Sequence, residues 1–535
     1  MPASIALSGV SWSVPGHPPL FADLNLNFGP SRAGLVGRNG VGKTTLLKLI
    51  AGELPSQSGG VSVHGRLGRL RQTVQIVPGE TVADLFGVTA ALALLSRVER
   101  GEATEVELAD ADWTLESRMA EALGRVGLDA IPETRLDTLS GGQRTRVALA
   151  ALVFGEPDFL LLDEPTNNLD RGGREAVIEL LAGWRSGAIV VSHDRELLET
   201  MDEIVELTTL GATRYGGNWS VYREQKALEL AAAHRDLAEA DKRVADINRS
   251  AQAAVERQAR RTSRAKKKAA EGGIPKILLG GLKEQGETTT ASNRRLAERR
   301  REEALDEAKS ARERIEVLQP FTVELPTTGL PSGKVVLRLE RVTVGYQPDR
   351  PVLRDLPLSL TGPERVAVTG PNGSGKTTLL SLILGELTPW SGQVQVLTEM
   401  AMLDQRVSLL DPALSIRDNF RKRHPTSDEN ECRAALARFR FRADAALQQV
   451  GTLSGGELLR AGLACVLGGK VLPPLLILDE PTNHFDVDSI ETVEAGLRAY
   501  DGALLVVSHD EAFLKGIGIT RRMELPPRPG DLGGW

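Results

Sequence analysis

The sequence predicts an α/β protein in which two phosphate-loop domains are joined by a long antiparallel α-helical hairpin. Three observations lead to this prediction. One set of sequence motifs occurs twice in the same order, and a charged, alanine-rich stretch with helical periodicity separates the two copies. The composition, 41% hydrophobic and 25% charged residues, is typical of a globular protein. A chain of 535 residues has room for about three domains.

The phosphate loops at residues 37–44 and 370–377 both fit the pattern G-x-x-x-x-G-K-[S/T]. Their glycines let the backbone wrap around phosphates, and the helix that starts at each lysine adds its positive end. The lysine is predicted to reach the outer phosphates and the next threonine to hold Mg²⁺. The predicted loop residues are Gly37, Asn39, Gly40, Gly42, Lys43, Thr44 and Thr45, and in the second half Gly370, Asn372, Gly373, Gly375, Lys376, Thr377 and Thr378.

Each half also contains an apolar strand that ends in an Asp-Glu pair, over residues 159–164 and 475–480. The aspartate is predicted to serve the Mg²⁺ site, and the glutamate to polarise an attacking water as general base. Buried acids can instead be structural ion-pair partners, but the phosphate loops upstream favour catalysis. The pairs are Asp163 with Glu164 and Asp479 with Glu480.

A glutamine and a histidine recur at equal spacing in the two halves. Gln72 and Gln405 each follow the loop lysine by 29 residues, and His193 and His509 each follow the strand-end glutamate by 29 residues. The glutamines are predicted to touch both metal and water, and the histidines to contact the γ-phosphate. Any one of these residues alone would be unremarkable, so the prediction depends on the equal spacing.

A serine followed by two glycines precedes a predicted helix in each half, at 140–142 and 454–456. Serine is a favourable N-cap, and glycines permit close approach of an anion to the backbone. A second anion-binding helix start has no role in the pocket of its own phosphate loop. It suits a nucleotide held by the opposite half. The residues are Ser140, Gly141, Gly142, Ser454, Gly455 and Gly456.

The two halves run in register except between Gln72 and Ser140, where the first half has 19 extra residues. This excess is helical in character and predicts a modest insertion within residues 73–138. The halves are offset by 333 residues up to Gln72 and by 314 residues at Ser140, a difference of 19, and the offset is 316 residues at the acids and histidines.

The segment between the halves, residues 215–331, has its own character. Apolar positions with heptad spacing, such as Leu230, Ala233, Leu237 and Ala240, predict a helix over 222–268 and a second, antiparallel helix after glycine-rich breaks. Residues 249–300 hold 14 Lys/Arg against 5 Asp/Glu, so the tip of the hairpin is basic while the chain as a whole carries a net charge of −6. Such a cluster suits a phosphate backbone. The alternative is a solvated linker face.

Several classes of protein are disfavoured. Two cysteines, Cys432 and Cys465, cannot form a disulfide framework and indicate a reducing compartment. Residues 1–12 lack the pattern of a signal peptide, and no uninterrupted apolar run reaches about 18 residues. We therefore expect a soluble, cytoplasmic protein without a membrane span of its own.

These motifs resemble the ATP-binding cassette superfamily, over residues 1–214 for a first cassette and 332–535 for a second. Two cassettes without membrane spans, joined by a charged two-helix linker, resemble its ABC-F class. The resemblance implies an ATPase that uses ATP and Mg²⁺ and a monomer whose cassettes close head to tail. The loop at 37–44 would then face 454–456, and the loop at 370–377 would face 140–142. It also implies that adenine stacks on Trp12 and Tyr346.

Members of the ABC-F class typically bind the ribosome and extend the linker towards tRNA. The resemblance therefore implies a ribosome-bound ATPase whose linker contacts rRNA and tRNA, either in translation or in antibiotic protection. The sequence does not distinguish these two tasks. Two alternatives remain: an ATPase that acts on branched DNA or RNA, and the ATPase subunit of an ABC transporter with a separate membrane partner.

Overall fold

The computed structural model describes residues 3–14, 16, 19–70, 77–167, 169–209, 211–270, 299, 301–303, 305–307, 309, 323–347, 350–482 and 486–526. The chain divides into two compact units. One comprises residues 1–219 together with 321–535, and the other comprises residues 220–320. The first unit contains both phosphate-loop domains, here called cassette 1 and cassette 2, and the second contains the helical linker.

Cassette 1 contains two sheets among its described residues. The strands are β1 Ser4–Trp12, β2 Phe21–Phe28, β3 Arg32–Val36, β4 Ser58–His64, β5 Leu67–Leu70, β6 Phe159–Asp163, β7 Gly187–Val191, β8 Glu203–Thr208 and β9 Gly211–Gly216. An antiparallel sheet has the order β2-β1-β4, and a larger sheet has the order β5-β6-β7-β3-β8-β9. Strands β5 to β8 of the larger sheet are parallel, so their carboxyl ends meet at one edge. Ligands of α/β sheets bind at this edge.

The helices of cassette 1 lie in the connections between these strands. They are α1 Lys43–Ile50, α2 Val82–Phe86, α3 Thr89–Glu99, α4 Glu105–Asp110, α5 Leu115–Arg125, α6 Gly141–Phe154, α7 Arg171–Ala182 and α8 Arg195–Leu198, with a 3-10 turn at Leu136–Thr138. Helix α1 packs between the two sheets, where its leucines join Ile5 and Phe28 in one buried core. That packing fixes the start of α1 beside the carboxyl end of β3.

Cassette 2 repeats this architecture. Its strands are β10 Val335–Val344, β11 Leu353–Thr361, β12 Arg365–Thr369, β13 Ser391–Val396, β14 Met400–Leu403, β15 Leu475–Asp479, β16 Ala503–Val507 and β17 Arg521–Glu524. The sheet orders are β11-β10-β13 and β14-β15-β16-β12-β17. The second order matches β5-β6-β7-β3-β8 of cassette 1 strand for strand, so the sequence repeat is a repeat of backbone topology.

The helices of cassette 2 are α10 Lys376–Ile383, α11 Ile416–Arg423, α12 Glu429–Arg438, α13 Gly455–Leu467, α14 Val487–Ala499 and α15 Glu511–Gly516, with 3-10 turns at Ala443–Leu447 and Val450–Thr452. Cys432 and Cys465 are free and buried, and both belong to the apolar core around α13. Between β14 and α13 the described residues hold two α-helices, whereas the corresponding part of cassette 1 holds four.

The linker begins with a single long helix, α9, which runs from Trp219 to Ala270 over 52 residues. Ala233 and Ala240 are buried and Leu237 is half-buried, so the heptad positions form the less exposed face of the helix. Arg243 pairs with Glu307 at 2.9 Å, an ion pair that joins the two arms of the linker. The fold class, two phosphate-loop cassettes with a helical hairpin, is confirmed. The glycine-rich breaks and most of the second arm lie outside the described residues.

Candidate nucleotide-binding and hydrolysis sites

The phosphate loop of cassette 1 connects β3 to α1 and uses its glycines where the sequence predicts them. Gly37, Gly40 and Gly42 have φ of 145°, 82° and 106°, values that disfavour a residue with a side chain. A Cβ atom on Gly37 would lie 2.3 Å from the carbonyl oxygen of Leu207. The loop is therefore shaped by close packing against β8 as well as by its own torsion angles.

Lys43 is the first residue of α1 and is buried. Its Nζ donates to the carbonyl oxygens of Gly37 at 2.6 Å and Arg38 at 3.2 Å, so the ammonium group lies inside the curve of the loop. A cavity of about 310 Å³ opens there. It is lined by loop residues together with Asp163, Glu164 and His193, which follow or end the adjacent parallel strands β6 and β7.

Asp163 and Thr44 form the candidate metal site of cassette 1. The Thr44 side chain hydrogen-bonds to the Asp163 carboxylate, and burial raises the pKa of Asp163 above its ordinary value. The second carboxylate oxygen, Oδ2, is buried and has no hydrogen-bond partner among the described residues. A buried, unpartnered carboxylate oxygen beside a hydroxyl fits Mg²⁺, which prefers oxygen ligands.

Glu164 and His193 form the candidate hydrolytic pair of this site. Oε1 of Glu164 lies 3.2 Å from Nε2 of His193. Glu164 has φ of 50°, an unfavourable backbone conformation for glutamate that its N–H bond to the carbonyl of Val191 at 2.9 Å helps to hold. Burial raises the pKa of Glu164 to about 8 and lowers the pKa of His193 to about 3, because burial disfavours both charged forms.

The phosphate loop of cassette 2 has the same geometry. Gly370, Gly373 and Gly375 have φ of 142°, 85° and 101°. The Nζ of Lys376 donates to the carbonyl oxygens of Gly370 at 2.7 Å and Pro371 at 3.1 Å, and burial lowers the pKa of Lys376. The two loops are therefore close copies, including the position of the lysine.

The acids of cassette 2 occupy equivalent positions in a slightly more open setting. Glu480, with φ of 44°, lies 3.5 Å from Nε2 of His509. Burial raises the pKa of Glu480 to about 7 and lowers the pKa of His509 to about 4. The pKa of Asp479 is raised first by burial and then by the neighbouring carboxylate of Asp404.

Each phosphate loop also receives a carboxylate from the opposite cassette. The backbone N–H of Asn39 donates to Oδ2 of Asp486 at 2.7 Å, and the N–H of Asn372 donates to Oδ2 of Asp170 at 3.4 Å. Each aspartate also caps the helix that follows it, through its other oxygen. The two sites are therefore composite, because each is completed by the cassette that does not supply its phosphate loop.

The serines of the Ser-Gly-Gly segments are N-caps, as predicted. Ser140 caps α6 and Ser454 caps α13, and each is part of a capping box with the residue three positions later. The capping fixes the backbone N–H groups of the following glycines at a helix start. Their contact with a nucleotide stays a prediction.

The remaining predicted site residues differ in their settings. Gln72 lies outside the described residues, whereas Gln405 is exposed just beyond β14. Tyr346 is 62% exposed and its hydroxyl lies 3.3 Å from Oγ1 of Thr378, so one ring face is open beside the second loop. Trp12 ends β1 and is half-buried against the core of cassette 1. Their roles in stacking and γ-phosphate sensing stay predictions.

The sequence reasoning missed Arg174, a buried residue of α7. Its guanidinium group bonds Asp194 of its own cassette at 2.9 Å and the carbonyl oxygen of His509 in the other cassette at 2.6 Å. A detectable signal existed, because the offset of 316 residues aligns Arg174 with the apolar residue Ile490. A charged residue in one copy and an apolar residue in the other mark a position where the two cassettes differ in chemistry.

Two phosphate loops, each with a strand-end acid pair and a carboxylate from the opposite lobe, define a tandem-cassette nucleotide hydrolase. The family model described as ABC transporter matches residues 21–167 and 353–483. The tylosin resistance ATP-binding protein TlrC of Streptomyces fradiae is 32% identical, over 90% of this chain and 89% of its own length. The energy-dependent translational throttle protein EttA of Mycobacterium tuberculosis is 32% identical, over 93% of this chain and 87% of its own length.

Among solved structures, the RNase-L Inhibitor matches with a TM-score of 0.59 and 18% identity, over 98% of this chain and 90% of that one, a likeness of fold. The chain belongs to the ABC-F class of the ATP-binding cassette superfamily. It is an ATPase. Among the residues that the structure describes, no helix is both long and apolar enough to cross a membrane.

Proposed function

We propose that the protein binds two Mg-ATP between its cassettes and that this binding controls how its basic linker holds the ribosome. The observation that carries the proposal is the reciprocal contact of Asp486 with the first phosphate loop and of Asp170 with the second. Because each loop is completed from the other cassette, nucleotide bound at either loop stabilises the paired arrangement of cassettes.

The first site, built on the loop at 37–44, divides the hydrolytic work among the residues of its cavity. Lys43 neutralises phosphate charge, and Thr44 with Asp163 would hold Mg²⁺, which would offset the charge that develops on the phosphate oxygens. Glu164, in its ionised form, orients the attacking water and accepts its proton. His193, kept neutral by burial, donates a hydrogen bond to the γ-phosphate.

The second site, built on the loop at 370–377, repeats these roles. Lys376 and Thr377 serve the phosphates and Mg²⁺ together with Asp479, and Glu480 and His509 act as base and γ-phosphate contact. Gln72 and Gln405 would join metal and water in their respective sites. Trp12 and Tyr346 would carry the adenine rings, and 454–456 and 140–142 would cover the nucleotides of the first and second loops.

The linker is the proposed contact with nucleic acid. Arg257, Arg260 and Arg264 are exposed on α9, within the basic segment 249–300. Exposed, clustered cations bind phosphate backbones through counterion release. The relative named as a translational throttle favours the ribosome, with its rRNA and tRNA, as the polyanion. A ribosomal partner places the proposed activity in the cytoplasm. The protein acts in this proposal as a monomer with domains 1–214, 215–331 and 332–535.

Cosedimentation with ribosomes tests the proposal. We expect the variant with Glu164→Gln and Glu480→Gln to bind ATP, fail to hydrolyse it and pellet with ribosomes in ATP but not in ADP. The matched control adds Arg257→Gln, Arg260→Gln and Arg264→Gln, and is expected to bind ATP equally while losing ribosome affinity. Absence of ATP-dependent pelleting of the first variant would contradict the proposal.

A second candidate, action on branched DNA or RNA, is supported by the same exposed arginines. Competition separates it from the ribosomal function. We expect ribosomes to displace the ATP-trapped variant from a branched DNA, whereas an excess of branched DNA should leave the ribosome complex intact. The transporter alternative gives the basic linker no role, and copurification with a membrane partner would be needed to favour it.

A further inference from the structure

The interface between the cassettes contains a buried arginine that the hydrolytic roles above do not use. Arg174 lies on α7 of cassette 1 and is 8% exposed. Its Nε and Nη2 contact Oδ2 of Asp194 at 3.0 Å and 2.9 Å, while its Nη1 donates to the carbonyl oxygen of His509 at 2.6 Å. The carboxylate of Asp510 also contributes to the electrostatics of this guanidinium. One side chain of cassette 1 thus joins the Ser-His-Asp segments of both cassettes.

Among the residues that the structure describes, this contact has no counterpart on the other side of the interface. The offset of 316 residues places Ile490 at the position equivalent to Arg174, and both residues line the cavity shared by Glu164 and Glu480. An isoleucine side chain has no hydrogen-bond donor. The backbone of His193 therefore cannot receive from Ile490 the bond that the backbone of His509 receives from Arg174.

Two further ion pairs cross the interface, and like Arg174 their cations belong to cassette 1. Arg195 pairs with Glu494 at 2.8 Å, and Arg171 pairs with Glu511 at 2.7 Å. In both pairs the cation belongs to cassette 1 and the acid to cassette 2. The positions equivalent to Arg171 and Glu494 are Val487 and Ile178, which are uncharged. Arg174 is therefore the buried centre of a one-sided ionic contact.

We propose that Arg174 is a positioning residue that makes hydrolysis at the second site depend on engagement of cassette 1. It holds the backbone of His509, whose imidazole lies 3.5 Å from Glu480. When the cassettes separate, this bond to His509 breaks, whereas Arg174 keeps its ion pair with Asp194, the residue next to His193 in its own cassette. The inference rests on the proposed roles of Glu480 and His509, and it makes the two ATP sites inequivalent.

Single-site variants of the full chain test this inference. In Glu164→Gln only the second site is expected to hydrolyse ATP, so its rate can be measured. In Glu480→Gln the same holds for the first site. We expect Arg174→Leu to lower kcat at the second site about tenfold, the size expected for one lost hydrogen bond from a charged donor, with little change in KM. At the first site the same change should cost less than about threefold, because Asp194 keeps its bonds to the backbone of α8.

Two companion variants exclude a merely structural effect. Arg174→Lys retains the charge but cannot bond two acceptors in the same geometry, and should restore the second site in part. The double variant with Arg174→Ile and Ile490→Arg swaps the two side chains. It should make hydrolysis at the first site, instead of the second, depend on engagement of the opposite cassette. Equal losses of kcat at both sites in Arg174→Leu would overturn the proposal. A double variant whose second site still depends more on the opposite cassette than its first site does would also overturn it.

Hydrogen exchange supplies a readout that does not depend on the catalytic assignments. In ATP, we expect Arg174→Leu to increase amide exchange over residues 503–516 and Arg174→Lys to restore protection there, while residues 187–198 change less. Unchanged exchange over 503–516 would overturn the inference even if the turnover data agreed. If Glu164→Gln and Glu480→Gln fail to slow hydrolysis, the proposed function fails, and the exchange data still decide the role of Arg174.

Discussion

Cassettes 1 and 2 share strand order, loop geometry and motif spacing, yet their hydrolytic carboxyls lie in different surroundings. Burial raises the pKa of Glu164 to about 8 but that of Glu480 only to about 7. The paired histidine lies at 3.2 Å in the first site and 3.5 Å in the second. The comparison teaches that the backbone of a repeat can be retained while the packing around its catalytic groups diverges.

The neighbours of the metal-site aspartates differ in the same way. Burial raises the pKa of both Asp163 and Asp479; the hydrogen bond from Thr44 and the charge of Arg69 partly offset this at Asp163, whereas the carboxylate of Asp404 adds to it at Asp479. In both sites burial is the largest of these effects.

The largest predicted effect is loss of hydrolysis at one site at a time. Glu164→Gln and Glu480→Gln should each slow their own site by about 10²-fold or more, the usual contribution of a general base. Each single variant should retain turnover at the other site, and the double variant should retain almost none. Steady-state phosphate release measures this, with ATP binding as the control. A single variant that abolishes all turnover would show that the two sites act only together.

The next effect concerns stability and pH. Because the folded state raises the pKa of Glu164 to about 8 and of Glu480 to about 7, each contributes stability that is fully present below its unfolded pKa of about 4.3 and is lost as the pH rises through the folded value. Glutamine does not titrate, so a variant with glutamine at either position does not lose this stability as the pH rises. Each variant should therefore gain melting temperature over the parent protein as the pH rises from about 5 to about 8.5.

Thermal melts of both variants without nucleotide measure this difference across the pH series. The comparison within one pH series cancels titrations elsewhere in the chain. A melting difference between variant and parent that stays constant with pH would contradict the pKa values of the two carboxyls.

The smallest effects concern the two peripheral ion pairs. The side chains of Arg195 and Glu494 are 17% and 6% exposed, whereas Arg171 is 60% exposed. Arg195→Ala leaves a buried carboxylate without its partner and should cost roughly 1–3 kcal/mol. Arg171→Ala breaks a solvated pair and should cost less than about 1 kcal/mol. Apparent melting temperatures measure both, and a larger loss for Arg171→Ala would contradict the burial argument.

Much of this fold was predictable because its signals are local. The strands Phe159–Asp163 and Leu475–Asp479 coincide with the predicted apolar runs, and Ser140 and Ser454 cap helices as their N-cap preference requires. Helix α9 extends only a few residues beyond the predicted 222–268, and the heptad pattern from Leu230 to Ala254 lies within it.

The contacts across the interface were less accessible to sequence reasoning. Arg174 is an ordinary helix residue by local pattern, and its partner His509 is 335 residues away. No periodicity predicts a side chain that bonds a backbone carbonyl of another lobe. The difference in pKa between Glu164 and Glu480 is equally hidden, because it arises from packing around two identical Asp-Glu motifs.

The central claim, that each site is completed by the opposite cassette, can be tested by combining an aspartate variant with each of the two glutamate variants. Asparagine at Asp486 or Asp170 can still cap its helix, but the amide that replaces the second oxygen cannot accept from the opposite loop. We predict that Asp486→Asn lowers turnover roughly tenfold in the Glu480→Gln background and less than about twofold in the Glu164→Gln background. Asp170→Asn should do the reverse. Loss confined to the site on the same cassette as the changed aspartate would contradict the account.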